Sequence, residues 1–333
     1  MAIKETSQKD IRISNPNPLK EDTGEETLRP KKLTEYIGQT MIKNHLQITL
    51  DAAKIRWEPV EHILFYGPPG LGKTTLAMLI ANETGGNLRH TSWPAIEKPA
   101  DMLSVLTSLQ PGDILFIDEI HRLKPVIEEI LYSAMEDYQI DIMVGSGPGA
   151  TSVKMDLPRF SLIGATTRLS SLSHPLRDRF GHVWKMDLYE DVDLAKIVER
   201  SAKILWIELG YDEALEIAKR SRGTPRIANR LTKIVRDYHI LGKLSELAHL
   251  FREIHIDEYG LDDIDRQLIR LLGENNGNAM GINTLAAMIG EEAATIEDVI
   301  EPFLIKIGLL ERTPRGRVIS MKGRKYLLDL EMH

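Results

Sequence analysis

Two short stretches carry the side chains of a candidate reactive site. In "HILFYGPPGLGKTTLAMLIANE" an apolar run, Ile63 to Tyr66, leads into Gly67-x-x-x-x-Gly72-Lys73-Thr74. Glycines let successive backbone N–H groups converge on an anion, and a helix N-terminus adds its partial positive charge. A lysine here bridges the β and γ phosphates of a nucleotide, and the following hydroxyl ligates Mg²⁺. The loop works only between a strand and a helix, and the sequence supplies both, with the helix expected from Thr75 to about Asn82. Some forty residues on, "GDILFIDEIHRL" carries Asp118 and Glu119 behind four apolar residues, Ile114 to Ile117. Such a run suits a strand buried on both faces of a parallel sheet, ending where ligands of open α/β folds bind. Asp118 is then placed for the Mg²⁺ shell and Glu119 for orienting and deprotonating an attacking water. By itself an acidic pair after a strand is also a common loop start. Behind a phosphate loop it reads as the second half of a nucleotide-hydrolysing site.

Three further segments could complete that site. "FSLIGATT" (160–167) reads as another buried strand whose terminal threonines align the water or cap the next turn. "HPLRDRFG" (174–181) presents Arg177 and Arg179, either as surface ion pairs or as an arginine offered to a neighbouring subunit's phosphates. In "SRGTPRIANRL" (221–231) Thr224 is placed as N-cap and Pro225 at the first helical position, leaving Arg226 in the first turn.

A chain of 333 residues is long enough to hold these segments in two or three domains. Its 42% hydrophobic and 27% charged residues are those of a soluble globular protein. The absence of cysteine excludes disulfides and thiolate metal sites and fits a reducing cytoplasm. Residues 1–27 are polar and lack a signal peptide's apolar segment, so a disordered tail is expected. No run approaches the roughly 18 apolar residues of a membrane span, and no internal repeat is visible.

The net charge of −7 hides an asymmetry. Residues 262–301 hold nine acids and two arginines; residues 306–325 hold seven bases and one acid. Segregation this sharp points to a local contact with something anionic, or else to a solvated basic surface. "DDIDRQLIRLLGENN" is an amphipathic helix with Ile264, Leu268, Leu271 and Leu272 on one side. "GINTLAAMIG" and "ATIEDVIEPFLIKIG" follow as two more helices, and "LLERTPRGRVIS" as a two-stranded wing turning on Pro314 and Gly316. Three helices and a wing make a winged-helix domain. Its last helix carries Glu297, Asp298 and Glu301, which would repel phosphates, whereas the wing carries Arg312, Arg315 and Arg317. The expectation is duplex binding through the wing to the backbone, without base readout.

Taken in order from about residue 28 to 328, "LRPKKLTEYIGQ", "GPPGLGKTTLA", "PAIEKP", "LFIDEIHRL", "EEILYSAMEDY", "IGATTR", "PLRDRFG", "GTPRIANRL", "TIEDVIEP" and "RTPRGR" resemble the RuvB branch-migration family of AAA+ ATPases. Several of these strings are shared by many AAA+ proteins; the last three are more specific. One departure is Trp93, where a small residue is expected. The resemblance implies an α/β P-loop AAA+ core (28–188), a small helical lid domain (189–256) and a C-terminal winged-helix domain (257–333) after the tail (1–27). It implies ATP hydrolysis with Mg²⁺, driving branch migration of Holliday junctions in recombination and repair. Leu28, Arg29, Tyr36 and Ile37 would line the adenine pocket. Gly70, Gly72, Lys73, Thr74 and Thr75 would hold the phosphates, with Thr74 and Asp118 on the metal. Thr167 would be the polar sensor, Arg179 the arginine given to the next subunit and Arg226 the second sensor. Glu136, Asp137, Tyr138 and Tyr189 would also belong to the nucleotide site, and Arg312 and Arg317 to the DNA contact. The implied partners are duplex DNA, a homohexameric ring, RuvC, and RuvA docked on the hairpin at 140–158, where Ile140, Ile142, Val144, Val153, Met155 and Leu157 alternate. An ordinary hairpin extending the main sheet is the plainer reading of that segment. Two rivals share the nucleotide motifs: a clamp-loader or initiator-type assembly switch, and a DNA-binding regulator whose core only binds ATP.

Overall fold

The computed structural model describes residues 13, 25–92, 95–144, 151–244, 246–275 and 277–331. Trp93, the hairpin tip at 145–150 and nearly all of the polar tail lie outside the described residues. The chain forms two compact units: Arg29–Gly67 with Leu71–Asp187, and Leu188–His333 with Met1–Leu28 and Pro68–Gly70.

The first unit is built on a five-stranded parallel sheet. Its strands are β1 (Ile63–Tyr66), β2 (Leu88–Ser92), β3 (Ile114–Asp118), β6 (Ser161–Thr166) and β7 (His182–Lys185), in the order β2-β3-β6-β1-β7. The apolar runs of β1, β3 and β6 are buried along almost their whole length, as strands covered on both faces must be. Gly164, mid-strand in β6, lets Leu64, Ile120 and Phe180 close in; a Cβ there would stand 3.0–3.3 Å from their side chains. β2 and β7 escaped the sequence reading because "LRHTS" and "HVWK" mix polar and apolar residues. Among the described residues β4 (Gln139–Val144) and β5 (Thr151–Asp156) pair only with each other, so the hairpin is a separate sheet and does not extend the main one. Ile140 is buried under it, while Val153 and Met155 stay exposed; Leu157 lies just past β5 and is buried. The helix after the phosphate loop runs Lys73–Thr84, two residues longer at each end than expected, because Gly72 and Gly85 both adopt left-handed backbone and set its limits.

The second unit carries the lid and the head. Four helices, Asp191–Ile204, Tyr211–Lys219, Pro225–Ile240 and Leu247–Glu253, form the lid. Thr224 precedes the third, but its hydroxyl donates to Ser221 O at 3.2 Å and does not cap the helix; Pro225 stands at the first turn as expected. The head follows with Asp263–Glu274, capped by the reciprocal Asp262–Asp265 bonds at 3.0 Å, and Ile282–Ile289. The third helical stretch is α-helical at Ala293–Thr295, widens to a π-turn at Ile296–Ile300, and resumes at Glu301–Lys306. Pro302 explains the interruption: lacking an N–H, it cannot donate to the Asp298 carbonyl, and the ladder shifts.

The wing is β8 (Leu310–Thr313) paired antiparallel with β9 (Gly316–Ile319). Met280 adds a further rung, exchanging backbone bonds of 2.9 Å with Arg317. This requires glycine at 316, where φ is +138° and a Cβ would lie 2.4 Å from the Met280 carbonyl oxygen. A fourth helix, Met321–Glu331, was not anticipated; it packs Tyr326 into the head's core. Lid and head are joined through Arg222, whose guanidinium donates to Asp265 at 2.6 Å and lies over the Phe303 ring. Both charged groups are buried, at 2% and 0% exposure, so neither could be left alone without several kcal/mol of cost.

Candidate active site and nucleic-acid interface

The phosphate loop leaves the end of β1 between β6 and β7. Gly67 accepts left-handed backbone (φ +147°), and a Cβ there would meet the Met186 carbonyl at 2.3 Å. Lys73 is 7% exposed, and its Nζ donates to the Gly67 carbonyl at 2.8 Å, which folds the ammonium over the loop it serves. Thr74 and Thr75 are half-buried in the first helical turn. Gly72 sits against Tyr36, whose hydroxyl would be 3.2 Å from any Cβ added there, so Tyr36 lines the loop. Arg29 reaches Met78 Sδ at 3.1 Å on the next helix turn, and Ile37 is half-buried. Of the remaining residues expected at the nucleotide, Leu28, Gly70, Tyr189 and Arg226 belong to the second unit. There Leu28 and Tyr189 are buried, and Arg226 is half-buried in the first turn of Pro225–Ile240.

Asp118 closes β3 and accepts the Glu119 N–H at 3.0 Å on Oδ1. Glu119 itself is in left-handed backbone (φ +49°), a conformation that costs a non-glycine residue about 1 kcal/mol or more. The turn aims its carboxylate at the neighbouring strand end: Thr167 donates to Glu119 Oε2 at 3.3 Å. Burial raises the Glu119 pKa above the ordinary carboxylate value, and the Asp118 charge raises it further; Lys73 and hydrogen bonding from Thr167 oppose this. A poised base needs such balance. One member of the cluster was missed in the sequence. His121 Nδ1 lies 3.2 Å from Glu119 Oε2 and 2.9 Å from Thr166 Oγ1. Thr166, fully buried, therefore orients the imidazole, while Thr167 turns to the carboxylate. The only hint was a polar residue two places after the acid in "DEIH".

Arg179 is held differently. It donates to Glu136 Oε2 at 2.8 Å and to the Pro175 carbonyl at 2.7 Å, with its guanidinium over Tyr132. It precedes β7, whose first residue His182 is in register with Ile63, the start of β1. The phosphate loop leaves from the other end of β1, so Arg179 lies at the opposite edge of its own sheet. Tyr138 is at that edge too, packed edge-on against Phe160 and beside His62. The structure thus does not bring Glu136, Asp137, Tyr138 or Arg179 to the phosphate loop of their own chain. A four-residue strand of about 13 Å separates the two edges. Arg177 is half-buried in the short helix His174–Arg177.

In the wing, Arg315 is exposed at the turn, but the other two arginines are engaged. Arg317 is buried and forks onto Glu301 Oε2 through Nε (3.0 Å) and Nη2 (2.8 Å). Arg312 donates to Glu297 at 2.5 Å. Glu297 and Glu301, acids expected to repel phosphate, face the wing's arginines.

A parallel sheet in this order, a phosphate loop beside an acidic pair, a helical lid and a winged head define a P-loop ATPase of the AAA+ class. Three family models match in succession: the P-loop domain of the Holliday junction DNA helicase RuvB over residues 28–186, the RuvB AAA lid domain over 189–262 and the RuvB C-terminal winged helix domain over 258–328. The chain belongs to the RuvB family. Among solved structures it is similar to Thermotoga maritima RuvB, described as a Holliday junction branch migration motor, at 46% identity. That match has a TM-score of 0.83 and covers 91% of this chain and 98% of the other. A lysine-to-arginine mutant of the same protein matches at 46% identity and 0.83, and an arginine-to-alanine mutant at 46% and 0.82; each covers 90% of this chain and 98% of its own. These matches favour the family over a clamp-loader or initiator-type switch. Among the described residues no helix is long and apolar enough to cross a membrane.

Proposed function

We propose that this chain hydrolyses ATP to pull duplex DNA and so drive branch migration of Holliday junctions in recombination and repair, including the damage-induced SOS response. The observation that carries the reading is the cluster at the strand ends: Glu119 with Asp118 behind it and Thr167 at 3.3 Å, in the electrostatic range of Lys73. Glu119 takes the proton of the attacking water, Thr167 and His121 hold the carboxylate in line, and Lys73 neutralises phosphate charge. Thr74 and Asp118 would hold Mg²⁺. The donors are oxygen only, and no group of three or more His, Cys, Asp or Glu among the described residues forms a metal cage. Mg²⁺ needs none, since it shares its shell with phosphates and water. When bound it supplies charge neutralisation across the β and γ phosphates.

Arg179 cannot serve the phosphate loop at the far edge of its own sheet, so its proposed target is the nucleotide of a neighbouring subunit. That split site makes hydrolysis depend on head-to-tail assembly, which closes into a ring; a homohexamer is the family state. Glu136, which holds Arg179, and Asp137 and Tyr138 beside it would then face the neighbour's nucleotide as well. Leu28, Arg29, Tyr36, Ile37, Tyr189 and the sensor Arg226 are assigned to the chain's own nucleotide. We assign the three-part division at residues 28, 189 and 257 as the working units, in the cytoplasm. RuvA is proposed to dock on the 140–158 hairpin, whose Val153 and Met155 are 50% and 39% exposed, and RuvC to join the same assembly. The wing is proposed to meet the phosphate backbone through Arg312 and Arg315, while Arg317, also expected there, is held in the buried pair with Glu301.

The test is ATP-dependent dissociation of a synthetic four-way junction with RuvA, using Glu119→Gln as control. Dissociation by the unmodified chain alone is expected. An intact junction alongside DNA-stimulated ATP hydrolysis would remove translocation and return the assembly-switch reading.

A further inference from the structure

Two guanidinium–carboxylate pairs lie side by side in the head, and they differ in how much water they see. Arg317 and Glu301 are 8% and 2% exposed, joined by two hydrogen bonds. Arg317 also carries both backbone bonds of the Met280 rung. This pair is part of the fold. Arg312 and Glu297 are 55% and 37% exposed. Arg312 Nη2 donates to Glu297 at 2.5 Å, and its Nε stands 3.4 Å from Glu301. Glu297 in turn lies 3.6 Å from Arg317 Nη2. The four groups carry two positive and two negative charges, so the base of the wing is neutral as folded. An exposed ion pair of this kind is weak and can be exchanged; a buried one is not, because either partner alone would be stranded.

We propose that Glu297 is a built-in competitor for DNA phosphate. It holds Arg312 on the wing until a phosphate oxygen replaces it, and it weakens the grip once the exchange is made. The proposal rests on the wing being the DNA interface. The chemistry is a ligand exchange at one guanidinium: the hydrogen bond from Arg312 Nη2 to the carboxylate breaks and one to a phosphate oxygen forms. Glu297 then loses that cation, keeps its 3.6 Å contact with Arg317, and stands as an anion beside the phosphate that displaced it. A motor that must release each phosphate after pulling gains from a contact with this internal alternative, since the carboxylate recaptures the arginine.

The placement of Glu297 supports this. It sits in the π-turn created by Pro302, four residues before Glu301, and the two carboxylates share the face turned to β8 and β9. Arg312 and Arg317 are opposite one another in the β8–β9 register. Buried Glu301 with Arg317 fixes the frame, and Glu297 occupies the solvent side of it.

The experiment is fluorescence anisotropy of a labelled duplex titrated with the full chain at fixed moderate salt, comparing unmodified protein, Glu297→Gln, Arg312→Ala and the double variant. Glu297→Gln is expected to tighten binding roughly two- to fivefold. The gain should largely disappear in the Arg312→Ala background. Equal tightening in both backgrounds would mean plain long-range repulsion and overturn the proposal. So would no change, or weaker binding, which would make Glu297 only a support that orients the arginine. If Arg312→Ala leaves affinity unaltered, it is the wing interface itself that fails. Glu297→Ala serves as second variant and must move affinity in the same direction as Gln.

Discussion

Lys73 and Arg312 are the same kind of device in two regions of one chain: a cation proposed to meet phosphate, already bonded to an oxygen of its own protein. The oxygens differ. Lys73 rests on the Gly67 carbonyl, which is neutral, whereas Arg312 rests on the Glu297 carboxylate. A phosphate that takes Lys73 displaces a dipole; one that takes Arg312 displaces a full charge. The burial differs in the same sense, with Lys73 at 7% exposure and Arg312 at 55%. Attraction at the nucleotide site is therefore little screened by water, whereas at the wing it is screened and meets a carboxylate bonded directly to the cation. The lesson is one of residence. A nucleotide must stay through its chemistry, while a duplex that is being pulled must be gripped and let go.

Four measurements test whether the two cations differ in this way. The largest effect is expected from Glu119→Gln, which removes the proposed base but keeps the proposed phosphate contacts. ATP turnover measured by phosphate release should fall about 10²- to 10⁴-fold with nucleotide binding retained. Equal loss of binding would mean that Glu119 is part of the cradle. Next, Lys73→Met should weaken ATP binding by roughly 10- to 100-fold in equilibrium titration, as expected for a charged hydrogen bond in a buried site. A loss of only a few-fold would put Lys73 in the same class as Arg312 and end the contrast. Third, Arg312→Ala should weaken duplex binding only a few-fold, but lower the slope of log affinity against log salt by about 0.9, one phosphate's worth. An unchanged slope would remove Arg312 from the DNA contact.

The smallest effect concerns pH. Because burial and Asp118 hold the Glu119 pKa above its ordinary value, its base form is lost as pH falls through that raised value. The acid limb of the turnover profile should therefore lie above the ordinary glutamate range. Replacing Asp118 with Asn would lower that limb, though at cost to the metal. The sign for stability is opposite: a raised carboxylate pKa stabilises the fold only below it and is a liability at neutral pH. Glu119→Gln should hence melt no lower than the unmodified chain at pH 7, and lower melting would mean that its bonds to Thr167 and His121 outweigh its burial.

How much was legible in advance depended on how local each feature is. The phosphate loop is spelled by contiguous residues because backbone N–H groups can converge only over a short stretch, and Gly67, Gly72 and Lys73 lie where that geometry requires. The acidic pair was readable for the same reason, as was the wing's turn, since Pro314 and Gly316 carry their backbone preferences wherever they occur. β7 and the last helix were not, because "HVWK" and "MKGRKYLLDLE" have weak patterns of their own and take their form from what they pack against.

What the sequence determined by itself was thus the chemistry available and the order in which it comes: a nucleotide loop, an acid pair, a lid and a basic wing after an acidic helix. Which charges meet was decided only in three dimensions. Arg222 joins Asp265 across 43 residues and Glu297 joins Arg312 across 15, while Arg179 and Tyr138 are carried to the far edge of their own sheet. A charge pattern along a chain gives totals; a carboxylate two bond lengths from a guanidinium cancels it, and that distance is a property of packing.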